Sequence, residues 1–133
     1  MADVTIKRIE DFEAIFAGGL RRARSGLGVR SFGMQVEEFP PNATLYPEHD
    51  HSEDGMEEVY TALEGKVILL VGGEEHVLEP GTFARVGPGE TRKLVTGDEG
   101  ARVLAIGAVP GKVYEPPEFT EEGQPDPMAE GPK

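Results

Sequence analysis

The sequence predicts an all-β protein, a sandwich or barrel of short strands. Three observations carry this. First, 18 glycines and 11 prolines punctuate the 133 residues every few positions. Second, the runs between them are short and rich in Val, Ile, Leu and Phe, the pattern of strands bounded by turns. Third, Gly72-Gly73 separates two such runs by two residues, a hairpin signal. The length suits one domain with one core.

Residues 1–28 form the exception to strand character. Ile9, Phe12, Ile15, Phe16, Leu20 and Ala23 recur at roughly helical spacing, which predicts a short helical segment over 9–24. Gly18-Gly19 should weaken or break it. Residues 29–114 carry eight expected strands, at 29–38, 44–51, 57–63, 66–71, 74–78, 82–86, 91–95 and 102–108. Glu79-Pro80-Gly81 and Gly87-Pro88-Gly89 read as turns. Eight short strands joined in this way predict a jelly roll. Residues 115–133 combine Pro116, Pro117, Pro125, Pro127 and Pro132 with acids and glycines, so an extended or disordered tail is expected.

With 25 acidic and 13 basic residues the formal net charge is −12. That charge disfavours nonspecific binding to nucleic acid or to an anionic membrane, both polyanions. No apolar run is long enough for a transmembrane helix, and residues 1–7 lack the apolar stretch of a signal peptide. The expectation is a soluble cytoplasmic protein. The absence of cysteine excludes thiolate chemistry and disulfides. There is no Gly-x-Ser-x-Gly elbow, P-loop or dinucleotide fingerprint.

His49-Asp50-His51 is the most informative stretch. On an extended strand two histidines two apart project to one face, and Glu58, on the next strand-like run, can fold back beside them. Two imidazoles and a carboxylate at one point suit a first-row transition metal. Glu57 becomes the ligand instead if the register shifts by one. The six carboxylates between Glu48 and Glu58 do not have the spacing of a calcium-binding loop and read as a solvated acidic loop.

The order of motifs resembles that of single-domain cupins. The first cupin motif is similar to His-x-His, a glutamate, six residues and a glycine, matched here by His49, His51, Glu58 and Gly65. The gap from His51 to Glu58 is longer than usual. The spacing from Glu58 to Gly65 fits and favours Glu58 over Glu57. The second motif looks like glycine, five residues, proline, one residue, glycine, two residues, histidine. Gly81 and Gly89 match, Gly87 takes the proline position and Arg92 takes the histidine position. The resemblance covers roughly residues 29 to 108. It implies a double-stranded β-helix, a homodimer, and a metal inside the barrel held by His49, His51 and Glu58, with the fourth ligand missing. The metal would be a divalent transition ion such as iron, manganese, zinc or nickel. The alternative is a relic polar cluster without metal. The metal reading is preferred because such groups are costly to keep unpartnered in a barrel interior.

Arg92 is always protonated and cannot ligate a metal. It can grip the carboxylate of a substrate that also reaches the metal. It can instead pair with Glu58 and replace the metal with a salt bridge, or point into solvent. Tyr60 shares the strand parity of Glu58 and is a candidate to donate a proton or a core residue with a satisfied hydroxyl. Tyr46 is a candidate substrate contact at the rim, with the same ambiguity. Phe32, Met34 and Gln35 are possible wall residues. His76 reads as a structural or surface residue. Arg21, Arg22, Arg24 and Arg30 read as cations at the C-terminal end of a short helix rather than as a phosphate site. The functional expectation is a metal-dependent enzyme of oxygenase, isomerase or lyase type acting on a small organic acid. The alternative is a non-catalytic cupin that binds or senses a small ligand.

Overall fold

A computed structural model describes residues 2–128. Ala14–Ile15 (β1) and Leu20–Arg21 (β2) form a small hairpin, followed by the helix Ala23–Leu27 (α1). Then come Gly33–Phe39 (β3), Glu57–Gly65 (β4), Val67–Val71 (β5), Glu74–Leu78 (β6), Phe83–Val86 (β7), Arg92–Val95 (β8) and Ala101–Ala108 (β9). One sheet runs β1-β2-β3-β9-β4-β7 and a second runs β6-β5-β8, both antiparallel. This is the jelly roll expected from the sequence.

The core lies between the sheets. Tyr60, Val67, Leu69, Leu78, Val86, Leu94, Ala101, Val103 and Ala105 form one buried cluster. Along β9 burial alternates strictly, with Ala101, Val103, Ala105 and Gly107 facing inward, as a period of two requires. These four residues are small, so β9 leaves interior room for the longer side chains of β3 and β4. Gly65 ends β4 at φ +69, where a Cβ would lie 2.1 Å from the Gly100 carbonyl oxygen. Only glycine permits both that backbone and that approach.

A second cluster covers the outer face of the larger sheet. Phe12, Ala23 and Val36 are buried there, with Ile9, Leu27, Met34 and Leu104 packed against them. The helix expected over 9–24 is therefore corrected. Residues 9–24 form a 3-10 turn at Ile9–Asp11, the β1–β2 hairpin and the start of α1. The glycine pair is the physical reason, since Gly18 takes φ +90 in a turn that also holds Phe16 and Ala17 at positive φ. The apolar residues that mimic helical spacing still reach one face, by way of the hairpin.

The strand expected at 44–51 is also corrected. Pro47 interrupts it, and Pro40-Pro41 precede it. What survives is an isolated bridge in which His49 and Arg92 exchange backbone hydrogen bonds of 3.0 and 2.9 Å.

The tail is not loose over the part described. Arg22, 1% exposed, donates to the carbonyls of Phe119 (2.8 Å), Gln124 (2.8 Å) and Pro125 (3.2 Å) and pairs with Glu13. Arg24 pairs with Glu121, and Ser25 Oγ donates to the Thr120 carbonyl at 2.8 Å. Of the arginines expected at the helix end, Arg24 does lie in the last turn of α1. Arg21 lies in β2, Arg22 caps the start of α1, and the two buried ones hold the tail. Residues 129–133 of the expected tail lie outside the described residues. No helix among those described is long and apolar enough to cross a membrane.

Candidate metal centre

Three elements deliver the central side chains. The 47–51 segment is pinned at the barrel mouth by the His49–Arg92 bridge and by a 2.9 Å bond from the His51 amide to the Pro88 carbonyl. β4 supplies Glu58 and Tyr60 on its inward face, opposite Gly107 and Ala105 of β9. β8 begins at Arg92, whose side chain is fully buried. Gly107 makes room for Glu58, because a Cβ there would meet Glu58 Cγ at 3.1 Å and Met56 Sδ at 2.8 Å.

The contacts converge on one oxygen, Glu58 Oε1. His51 Nε2 lies 3.2 Å from it and His49 Nε2 3.6 Å. The Tyr60 hydroxyl and Arg92 Nη1 each donate to it at 2.6 Å. One donor atom each from His49, His51 and Glu58 lies within 4.8 Å of the others. Glu57 faces away and pairs with Arg85 at 2.8 Å, so Glu58 is the carboxylate brought to the histidines.

Both imidazoles are oriented by an outer partner. His49 Nδ1 lies 3.0 Å from the Pro47 carbonyl. His51 Nδ1 lies 3.2 Å from both carboxylate oxygens of Asp54. The Pro47 carbonyl and the Asp54 carboxylate are acceptors, so each Nδ1 carries a proton and each ring turns its Nε2 toward Glu58. His51 Nε2 is buried and makes no hydrogen bond. An unpartnered ring nitrogen beside a second imidazole and a carboxylate fits a divalent transition metal.

The electrostatics are consistent with an ionised Glu58. Burial opposes its charge, but the neighbouring His49 and Tyr60, together with the charges of His51 and Arg92, hold its carboxyl below the usual range. The adjacent Glu58 raises His49 above the ordinary histidine value, against the opposing effect of burial. Tyr60 stays a phenol, since burial and the Glu58 charge both raise it.

Arg92 donates to protein from all three of its nitrogens. Its Nε donates to the Glu90 carbonyl at 2.9 Å and its Nη2 to the Gly87 carbonyl at 2.7 Å, beside the pair with Glu58. Of the three placements open to it, the solvent-facing one is overturned, because the side chain is 0% exposed. Tyr46 stacks its ring 5.6 Å from His49 and 5.8 Å from Phe39, at the edge of the core. His76 is exposed on β6, 3.7 Å from Glu74, away from the cluster.

Glu37 was not anticipated. It is buried on β3, and burial followed by the Glu58 charge pushes its carboxyl up to about 8. As one of two adjacent acids in Glu37-Glu38 it reads as surface. Its inward parity becomes visible only once β3 is known to pair with β9. Asp54 was read as part of a solvated loop, and its spacing of three from His51 was the available signal. Two surface depressions, each of about 400 to 460 Å³, line the 70–75 and 97–99 turns and contain none of these residues.

Comparison with known proteins agrees with this architecture. The cupin domain family model matches residues 35–107. No curated protein matches. A cupin protein from Bacteroides fragilis superposes with TM-score 0.66 at 18% identity, covering 88% of this chain and 93% of that one. A sugar phosphate isomerase of the cupin superfamily from Silicibacter pomeroyi gives TM-score 0.66 at 22% identity, covering 78% and 75%. The cupin domain of an XRE family transcriptional regulator from Enterobacter cloacae gives 0.54 at 17%, covering 62% and 86%. At these identities the likeness is one of fold. With a family model spanning more than half its length, the chain belongs to the cupin family.

Proposed function

We propose that this protein is a metal-dependent cupin acting on a small organic acid, with His49, His51 and Glu58 holding a divalent transition metal. One observation carries the reading. One donor atom each from His49, His51 and Glu58 lies within 4.8 Å of the others, and His51 Nε2 is buried without a hydrogen-bond partner. Such a metal supplies Lewis-acid polarisation, or redox chemistry if it is iron, with positions left open for substrate. That set is compatible with oxygenase, isomerase or lyase chemistry.

The chain's own residues have distinct tasks in this proposal. Asp54 and Pro47 fix the imidazole tautomers. Arg92 and Tyr60 hold Glu58 ionised and oriented. Tyr60 keeps a proton on its hydroxyl 2.6 Å from Glu58, available to a substrate oxygen that displaces that contact. Arg92 already holds Glu58, so its primary role here is positioning, and a substrate carboxylate has at most its remaining N–H to bind.

The Arg92–Glu58 pair of 2.6 Å favours a second reading, a metal-free cupin that binds or senses a small ligand. Elemental analysis of untagged, chelator-free protein separates the two. The metal reading expects stoichiometric iron, manganese, nickel or zinc, lost in His49→Ala, His51→Ala and Glu58→Gln. No metal after incubation with each ion, or full metal content in all three variants, would overturn it.

A further inference from the structure

β3 adds a second polar row to the barrel interior. Gln35 pairs in register with Ala105 of β9, and Glu37 with Val103. Both partners belong to the inner core cluster, so Gln35 and Glu37 share the inward face, while Met34 and Val36 pack outward against Phe12 and Ala23. Through β9, Gln35 is level with Tyr60 and Glu37 with Ala62, one and two rows deeper than Glu58. Gln35 Oε1 and Glu37 Oε1 are buried and neither has a hydrogen-bond partner. One buried acceptor left unpaired is already costly. Two on one inward face, in the rows next to Glu58, are placed to receive donors.

We propose that Gln35 and Glu37 form a subsite for the hydroxyl groups of the ligand, so that the substrate is a polyhydroxylated carboxylic acid rather than a plain alkyl acid. The acid end stays at the mouth, near the histidines. The hydroxyl-bearing carbons point inward and donate to Gln35 Oε1 and Glu37 Oε1. A ligand without hydroxyls leaves both acceptors unpaired, and a site made to bond a hydroxyl rejects such an analogue strongly. The placement of the carboxylate rests on the proposed metal centre, whereas the hydroxyl row can be scored without metal.

The probes are D-erythronate, which carries three hydroxyls, and butyrate, which has the same carbon number and none. Both are titrated by NMR into zinc-loaded and chelator-treated protein, with zinc affinity and melting temperature measured on the same samples. The expected result is a preference for erythronate of about tenfold or more in wild type. It should fall below about threefold in Gln35→Leu and Glu37→Leu and be kept in Glu37→Gln, with zinc affinity within about threefold throughout. An erythronate preference that is absent in wild type, or that survives both leucine variants, overturns the subsite. If the preference is present but zinc does not bind, the metal centre fails and the hydroxyl row stands. If zinc binds without any preference, the reverse holds.

Discussion

At the scale of single residues, the site is organised around one oxygen with four claimants. Glu58 Oε1 receives Arg92 and Tyr60 as donors and faces both histidines. A metal must therefore compete with a guanidinium already in place. Arg92→His removes that competitor and offers a third imidazole as fourth ligand at the motif position, so zinc affinity should rise about tenfold or more in a competition assay against a chromophoric chelator. An unchanged or weaker affinity in a folded variant would mean that the Arg92 side chain does not share the metal's position. Glu37 gives a pH signature. Its folded value of about 8 lies above the ordinary glutamate value of about 4.3, so the native state holds a proton that the unfolded chain releases. The sign follows directly. Glu37's contribution is fully present below about pH 4 and is lost as pH rises through about 8. Its slope is at most roughly 1.4 kcal/mol per pH unit. In metal-free protein the stability advantage of Glu37→Gln over wild type should grow from pH 5 to pH 8 and then level off. A pH-independent difference in denaturant midpoints would show that Glu37 is ionised in the fold.

At the scale of elements, what could be read in advance depended on whether a signal was local. The hairpin around Gly72-Gly73 and the strand 74–78 are local matters of alternation and turn chemistry, and they stand as read. The His49-x-His51 spacing and the choice of Glu58 were legible for the same reason. Glu37 was not, because the facing of a strand depends on the partner across the sheet. The 9–24 segment misled because spacing alone cannot tell a helix from a hairpin that brings the same apolar residues to one face. β9 shows how an element serves a site without touching a ligand. Its inward Ala-Val-Ala-Gly series clears the space that Glu58, Tyr60, Gln35 and Glu37 occupy. Gly107→Ala should push Glu58 out of line, since the added carbon would lie 3.1 Å from Glu58 Cγ and 3.2 Å from the Glu57 carbonyl oxygen. We expect about 1–3 kcal/mol of destabilisation and a clear loss of bound metal by elemental analysis. Full metal content would show that the site tolerates the shift.

At the scale of the whole molecule, the exposed apolar residues point to association. Val4 is 67% and Ile6 88% exposed, alternating with Asp3, Thr5 and Lys7 in the period of a strand, and β6 and β7 end their sheets with open edges. An unpaired edge is a template for a further strand. The prediction is a homodimer in sedimentation velocity that dissociates in the Val4→Asp, Ile6→Asp double variant. A wild-type monomer at micromolar concentration would sink it.

The clamp around Arg22 bears on how the chain comes to be folded. Its carbonyl partners lie 97 to 103 residues further along, so until residues 119–125 have docked the cation has only the nearby Glu13 to pair with. Contacts of such separation are slow to close. On the ribosome the barrel strands can therefore pair first, while Phe16 of the hairpin turn waits for Phe119 to pack against it.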